Sequence, residues 1–201
     1  MIAIIDYGAG NIFSVKNALD YLGVKAELTK DKSDIINADG IILPGVGAFP
    51  WAMNKLNESG LVDVIKEQAP QKPFLGICLG MQLLFGKGYE FEETDGLGLI
   101  DGEVKLMETG NLPLPHIGWN KLEINHDCEF LHGVGETYVY FVHSYAAECG
   151  SDSVSAYTDY GGKRTALVNR GTIYGAQFHP EKSGAAGLRM LRNFADMVNK
   201  G

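Results

Sequence analysis

Short apolar runs alternate with stretches of helical periodicity through the first half of the chain. Ile2-Ala3-Ile4-Ile5-Asp6 reads as a buried strand, ended by Tyr7-Gly8-Ala9-Gly10-Asn11. Apolar residues then recur at helical spacing (Val15, Ala18, Leu19, Leu22), and Gly23 stands where a helix C-terminus closes. Residues 25–28 and 40–43 predict two more strands, the second running into Pro44-Gly45-Val46-Gly47. Residues 49–57 and 61–67 predict helices, and 74–77 a fourth strand. A helix carrying Leu79, Met81, Gln82, Leu83, Leu84 and Phe85 follows it. Alternation at this spacing predicts right-handed βαβ units: an α/β fold with a mostly parallel central sheet and helices on both faces.

The pattern changes after Leu99. Short strands at 104–106, 122–124, 138–142, 166–169 and 173–176, punctuated by Gly and Asn, predict additional antiparallel strands. A last helix is predicted over 185–198, with Leu188, Leu191, Phe194, Ala195 and Val198 on one face. No repeat, low-complexity tract or linker interrupts the chain, so one domain over 1–201 is expected.

Composition narrows the function classes. Hydrophobic residues make up 45% and charged residues 21%, the balance of a soluble globular protein. The net charge of −8, with no Lys/Arg run, argues against a nucleic-acid partner, which needs a basic face. Apolar runs are strand-length, far short of a membrane span, and the start Met1-Ile2-Ala3 lacks the basic region of a signal peptide. Cys78, Cys128 and Cys149 are odd in number and widely spaced, so a disulfide framework is not expected. A cytoplasmic protein with a free thiol is the expectation. No HExxH or Cys–His cluster points to a metal, and no cofactor is expected.

Gly76-Ile77-Cys78-Leu79-Gly80 is the most informative stretch. A strand ends, a nucleophile-type residue follows with glycines two positions before and after, and a helix begins. This is the layout of a nucleophile elbow with cysteine in place of serine. The thiol would stand at a helix N-terminus, which favours thiolate, and the amide N–H of Leu79 would face an oxyanion formed there. A buried structural cysteine fits this stretch equally well when it is taken alone.

A cysteine nucleophile needs a base and a group to orient that base. Tyr174-Gly175-Ala176-Gln177-Phe178-His179-Pro180-Glu181 offers both, with His179 at a strand end and Glu181 within reach of the imidazole. His and Glu two apart also occur in ordinary solvated loops. Gly8-Ala9-Gly10-Asn11-Ile12-Phe13 approaches the dinucleotide fingerprint but has Phe13 at the third glycine, where its bulk would block helix–strand approach. Pro44-Gly45-Val46-Gly47 ends a strand at the edge where doubly wound sheets bind ligands, making Val46 a candidate second oxyanion donor, although an ordinary turn is also consistent.

Taken together, Gly76-Ile77-Cys78-Leu79-Gly80-Met81-Gln82 and Gln177-Phe178-His179-Pro180-Glu181-Lys182-Ser183 resemble the class I (triad) glutamine amidotransferases. Within that family, three stretches resemble the glutaminase subunits of imidazole glycerol phosphate synthases. They are Asp6-Tyr7-Gly8-Ala9-Gly10-Asn11, Pro115-His116-Ile117-Gly118-Trp119-Asn120 and Tyr140-Phe141-Val142-His143-Ser144-Tyr145. The likeness runs from Ile4 to about Met197, and Ile117 replaces a more usual methionine. It implies a Cys78-His179-Glu181 triad acting through a thioester, an oxyanion hole from Val46 and Leu79, and substrate contacts from Gly47, Gln82, Ser144 and Tyr145. It also implies that ammonia passes to a (β/α)8-barrel cyclase subunit in a heterodimer, with Gly45, Asn11, Trp119 and Lys182 at or gating that interface. In the family the glutaminase is nearly idle until the partner and its nucleotide substrate bind. A flip of the Gly45-Val46 peptide that completes the oxyanion hole would account for this.

Rival readings are a paralogous amidotransferase serving another synthase, a γ-glutamyl or cysteine hydrolase on the same fold, and a non-catalytic binding module. His126 and His132 read as surface residues. His116 and His143 read as structural, and Trp51 and Trp119 as core or interface, with Trp119 in a Gly-Trp-Asn loop.

Overall fold

The computed structural model describes residues 1–200; Gly201, the end of the expected domain, lies outside the described residues. The first half runs β1 (Ile2–Ile5), α1 (Ile12–Tyr21), β2 (Ala26–Thr29), α2 (Lys32–Asn37), β3 (Gly40–Gly45), α3 (Phe49–Glu58), α4 (Val62–Gln68), β4 (Phe74–Cys78) and the single turn α5 (Leu79–Gln82). The second half runs β5 (Lys87–Gly88), β6 (Thr94–Asp95), β7 (Glu103–Leu106), β8 (His116–Ile124), β9 (Thr137–His143), β10 (Tyr145–Glu148), β11 (Val154–Asp159), β12 (Lys163–Arg170), β13 (Ile173–Ala176) and α6 (Gly184–Lys200).

Nine strands form one sheet in the order β2-β1-β3-β4-β13-β12-β11-β8-β9. It is parallel from β2 through β13 and antiparallel from there to β9. Four short strands, β10-β7-β5-β6, make a second sheet. The parallel strands β1, β3, β4 and β13 are buried on both faces, so their side chains alternate between two cores. Ile4 and Ile42 pack with Leu19, Phe141 and Phe194 on one side, while Ile5, Ile41 and Leu43 pack with Phe49 and Phe85 on the other. That double burial is why these strands appear in the sequence as unbroken apolar runs.

The structure departs from the sequence pattern in three places that matter. The apolar spacing predicts a helix through Phe85, but α5 ends at Gln82, and Leu84 and Phe85 close with tighter bonds to Met81 O (3.0 Å) and Gln82 O (3.2 Å). Trp119 is not in a loop; it lies in the middle of β8, paired with Tyr140 of β9. Gly118 beside it adopts φ 144°, a conformation that favours glycine and makes the segment look like a turn. Finally, β11 escapes notice because its buried inward positions include Ser155 and Thr158, whose hydroxyls bond His126 Nε2 (3.1 Å) and Lys121 O (2.9 Å).

Candidate active site

Cys78 is the last residue of β4 and the residue from which α5 springs, with φ 54° and ψ −111°. Such a conformation in a residue with a Cβ costs on the order of 1–3 kcal/mol, so its surroundings must impose it. They do so by close backbone packing. A Cβ on Gly76 would stand 2.6 Å from Gly80 O, and one on Gly80 only 1.8 Å from Leu43 O. Gly45 pairs with Cys78 across the β3–β4 register, where a Cβ would meet Gly80 N at 2.8 Å and Tyr7 Oη at 2.9 Å. Tyr7 in turn donates to Pro44 O (3.1 Å), and burial, reinforced by the nearby Cys78, raises its phenol pKa. Three glycines are thus required by contact.

The register of β13 against β4 (Gly175 beside Gly76, Ala176 beside Ile77) carries the chain on to Gln177 and His179 next to Cys78. His179 is buried and fixed at its backbone. Its N–H donates to Tyr140 O (2.9 Å), and its carbonyl accepts from Ser183 Oγ (2.6 Å), which itself accepts the Tyr140 N–H (3.0 Å). The ring Nδ1 bonds Glu181 Oε1 at 2.7 Å, while Nε2 has no protein partner. A carboxylate can only accept, so Nδ1 carries the hydrogen and Nε2 is the nitrogen left free. Burial pushes the imidazole pKa down, but Cys78 and then Glu181 outweigh it and lift the group to about 9. At neutral pH the ring therefore favours its protonated form, a proton donor beside a cavity that Cys78 also lines.

Cys78 and His179 open onto a cavity of about 310 Å³, a fit for one amino acid rather than a polymer. Val46, Gly47, Leu79, Gln82, Ser144 and Tyr145 line it together. Gln82 Nε2 donates to Tyr145 O (2.9 Å) and Gln177 Oε1 (3.0 Å). Because a backbone carbonyl only accepts, this amide orientation is set, and Oε1 is left to accept from a ligand. Gln177 Nε2 reaches the Cys78 sulfur at 3.9 Å.

Every substrate and oxyanion residue singled out in the sequence lines this one cavity, and Glu181 stands behind His179. The structure adds Glu90, Pro115, Val142 and His143 to the lining. Gln177 and Ser183 had no assigned role; both lie in the quoted His-Pro-Glu stretch, but their function depends on partners distant in sequence. Among the interface candidates, Trp119 is 51% exposed and meets Tyr140 edge-on at 6.2 Å, and Lys182 Nζ lies 5.9 Å from the centre of the same ring. Asn11 Oδ1 accepts from Ser14 Oγ (2.8 Å). Gly45 is buried within β3.

Other sequence readings need adjustment. Phe13 is 67% exposed, so its bulk blocks nothing; Gly10 instead packs against Pro44. Trp51, like Trp119, is half-exposed and not a core residue. His126 is half-buried against Ser155, whereas His132 is exposed. Among the described residues, no helix is long and apolar enough to cross a membrane.

Comparison with known proteins identifies the family. Residues 3–198 match the family model "Glutamine amidotransferase class-I". The imidazole glycerol phosphate synthase subunit HisH of Bacillus thuringiensis subsp. konkukian is 50% identical over 200 residues, covering 98% of this chain and 95% of that one. Its counterpart in Bacillus cereus is 49% identical over the same span. A crystal structure of a glutamine amidotransferase superposes with a TM-score of 0.77 at 20% identity, covering 99% of this chain and all (100%) of that one. PurLQS from Thermotoga maritima gives 0.73 at 21% identity, covering 97% of each chain. These two structures speak to the fold alone. The family match over residues 3–198 and 50% identity along nearly the full length place the chain in the class-I glutamine amidotransferase family, beside the HisH subunits.

Proposed function

We propose that this chain is the glutaminase subunit of an imidazole glycerol phosphate synthase, releasing ammonia from glutamine for a cyclase partner in histidine biosynthesis. The observation that carries the chemistry is His179: Nδ1 tied to Glu181, Nε2 free, beside a strained cysteine at the mouth of an amino-acid-sized cavity.

In this reading the Cys78 thiolate attacks the amide carbon of glutamine, and the carbonyl π electrons move to oxygen. N–H groups of Leu79 and Val46 hold that oxyanion; each such donor is worth roughly 10²–10³ in turnover. Collapse of the intermediate breaks the C–N bond as the His179 imidazolium gives its proton to the leaving nitrogen, leaving a thioester and ammonia. His179, now neutral, takes a proton from water as the water attacks the thioester, and glutamate and thiolate are released. Glu181 keeps the hydrogen on Nδ1 throughout. Gln82 Oε1 accepts from the substrate's α-ammonium group, and the Ser144–Tyr145 backbone holds its carboxylate, with Gly47 closing the wall.

In this reading residues 1–201 act as one amidotransferase domain, and the cyclase partner uses the ammonia. Ammonia released to water is protonated and loses its nucleophilicity, so a partner must cover the site. Exposed Val46, Ile117, Trp119 and Tyr138 supply an apolar surface suited to that contact, with Asn11 and Lys182 among its polar members. A change at the Gly45-Val46 peptide would gate turnover; Gly47, with φ 104°, has the conformational freedom to follow it. The chemistry is tested with a glutamine analogue bearing an electrophilic carbon in place of the amide. Stoichiometric labelling of Cys78 supports the reading, and labelling of Cys128 or Cys149, or of none, rejects it.

A further inference from the structure

His143 lines the cavity, yet the reaction just described gives neither it nor His116 a task. Both are buried, and they face each other across the β8–β9 register. Their ring nitrogens form a continuous line of contacts. His143 Nδ1 lies 2.8 Å from Tyr145 O, His143 Nε2 lies 3.1 Å from His116 Nδ1, and His116 Nε2 lies 3.0 Å from Asn120 Oδ1. Asn120 Nδ2 donates to Asp159 O (2.8 Å).

Both ends of this line are fixed by groups that only accept. Tyr145 O requires a hydrogen on His143 Nδ1. Asp159 O claims the Asn120 amide hydrogens, so Asn120 Oδ1 faces His116 and requires a hydrogen on its Nε2. The contact between the rings needs a third. Two neutral imidazoles carry only two, so the neutral pair leaves one contact without a hydrogen. One added proton, shared by the pair, completes all three.

The surroundings bear on that proton in both directions. His116 stacks on Tyr160 (3.9 Å between centroids) and Phe141 (4.9 Å), faces that attract a cation. Burial opposes charge on His116 and lowers it, with the bond to Asn120 working the other way. Burial also lowers His143, to about 4, offset in part by Tyr145 O and reinforced by three cationic neighbours, His116 from β8, His179 beyond β13 and Arg164 on β12. Glu90, near enough to Tyr145 to raise its phenol, is a carboxylate lining the same cavity.

The line continues into the site. Tyr145 O accepts from Gln82 Nε2 as well as from His143, Gln82 bonds Gln177, and Gln177 reaches the Cys78 sulfur. We infer that His116 and His143 are positioning residues for glutamine: with Asn120 they form a relay that holds the Tyr145 carbonyl, and through it Gln82, and that takes up one shared proton to complete its hydrogen bonds. The substrate half of this inference rests on the glutaminase reading; the proton count does not.

Two measurements on the full chain test it. Nitrogen-15 NMR of histidine-labelled protein from about pH 8.5 down to about pH 3.5 spans the imidazole range and the lowered His143 value. The expected result is a single proton taken up jointly by His116 and His143, two ring hydrogens becoming three. Independent protonation of the two rings, or two hydrogens throughout, overturns the relay. Glutamine affinity is then measured in a Cys78→Ala background, where turnover is blocked. His143→Leu is expected to raise Kd about tenfold and His143→Asn, which keeps a donor at the Nδ1 position, by no more than about threefold, the range of one hydrogen bond. Melting curves show whether each variant is folded, and the NMR count needs no variant. Equal affinity in both variants overturns the positioning role. Failure of the parent to bind glutamine at all rejects the substrate reading instead, and the proton count then decides the relay alone.

Discussion

His179 Nδ1 sits 2.7 Å from Glu181 Oε1, two residues away in sequence, while the buried Nε2 of the same ring has no protein partner. Pro180 lies between them and begins a short 3-10 turn (Pro180–Lys182), which folds the carboxylate back onto the ring that precedes it. One nitrogen is thereby committed to the carboxylate and the other left free; in the proposed mechanism the free one handles the protons.

Glu181→Gln should separate those roles. An amide can donate to Nδ1 and so stabilise the wrong tautomer, with the hydrogen moved to Nε2. Turnover of glutamine should fall by about 10³–10⁴ with a much smaller change in KM. Steady-state kinetics decides the matter, and a KM effect with kcat preserved would remove Glu181 from the triad.

Gly80→Ala tests the packing that imposes the elbow. The new methyl would lie 1.8 Å from Leu43 O, a backbone atom that cannot move aside. Loss of at least about 3 kcal/mol is expected, a fall in Tm of roughly 10 °C for a chain of this size. Gly135→Ala, with nothing within 4 Å of the added carbon, is the control and should leave Tm within about 2 °C.

Gln82→Leu removes the acceptor offered to the α-ammonium group and leaves Gln177 Oε1 without its donor. KM for glutamine should rise at least tenfold, about 1.4 kcal/mol or more, with kcat affected less. An unchanged KM would place the amino group of the substrate elsewhere.

The raised His179 pKa makes a statement about stability. Its folded value, about 9, lies above the ordinary 6.5, so the stabilisation is fully present below 6.5 and is lost as pH rises through about 9. Denaturant titrations between those limits should show stability falling with pH, and His179→Gln should abolish that part of the slope. The same slope in the variant would assign it to other groups.

Much of this site can be read in the sequence because its parts are local. The elbow needs five consecutive residues, with glycines at 76 and 80 set by contact, and the base and its orienting acid are two apart. Strands β1, β3 and β4 are equally legible, since burial on both faces writes them as apolar runs. What stays hidden depends on pairing across the fold. The His116–His143 contact exists only through the β8–β9 register, and Ser183 matters only because Tyr140 lies beside it. β8 is obscured by Gly118, and β11 by buried hydroxyls with partners on other elements.

Glutamate release from glutamine tests the central claim most directly, measured for the chain alone and with an imidazole glycerol phosphate synthase cyclase subunit plus its nucleotide substrate. The prediction is slow hydrolysis by the chain alone, strong activation by the loaded partner, and loss of both in Cys78→Ala. Hydrolysis that persists in Cys78→Ala, or no hydrolysis under either condition, would contradict it.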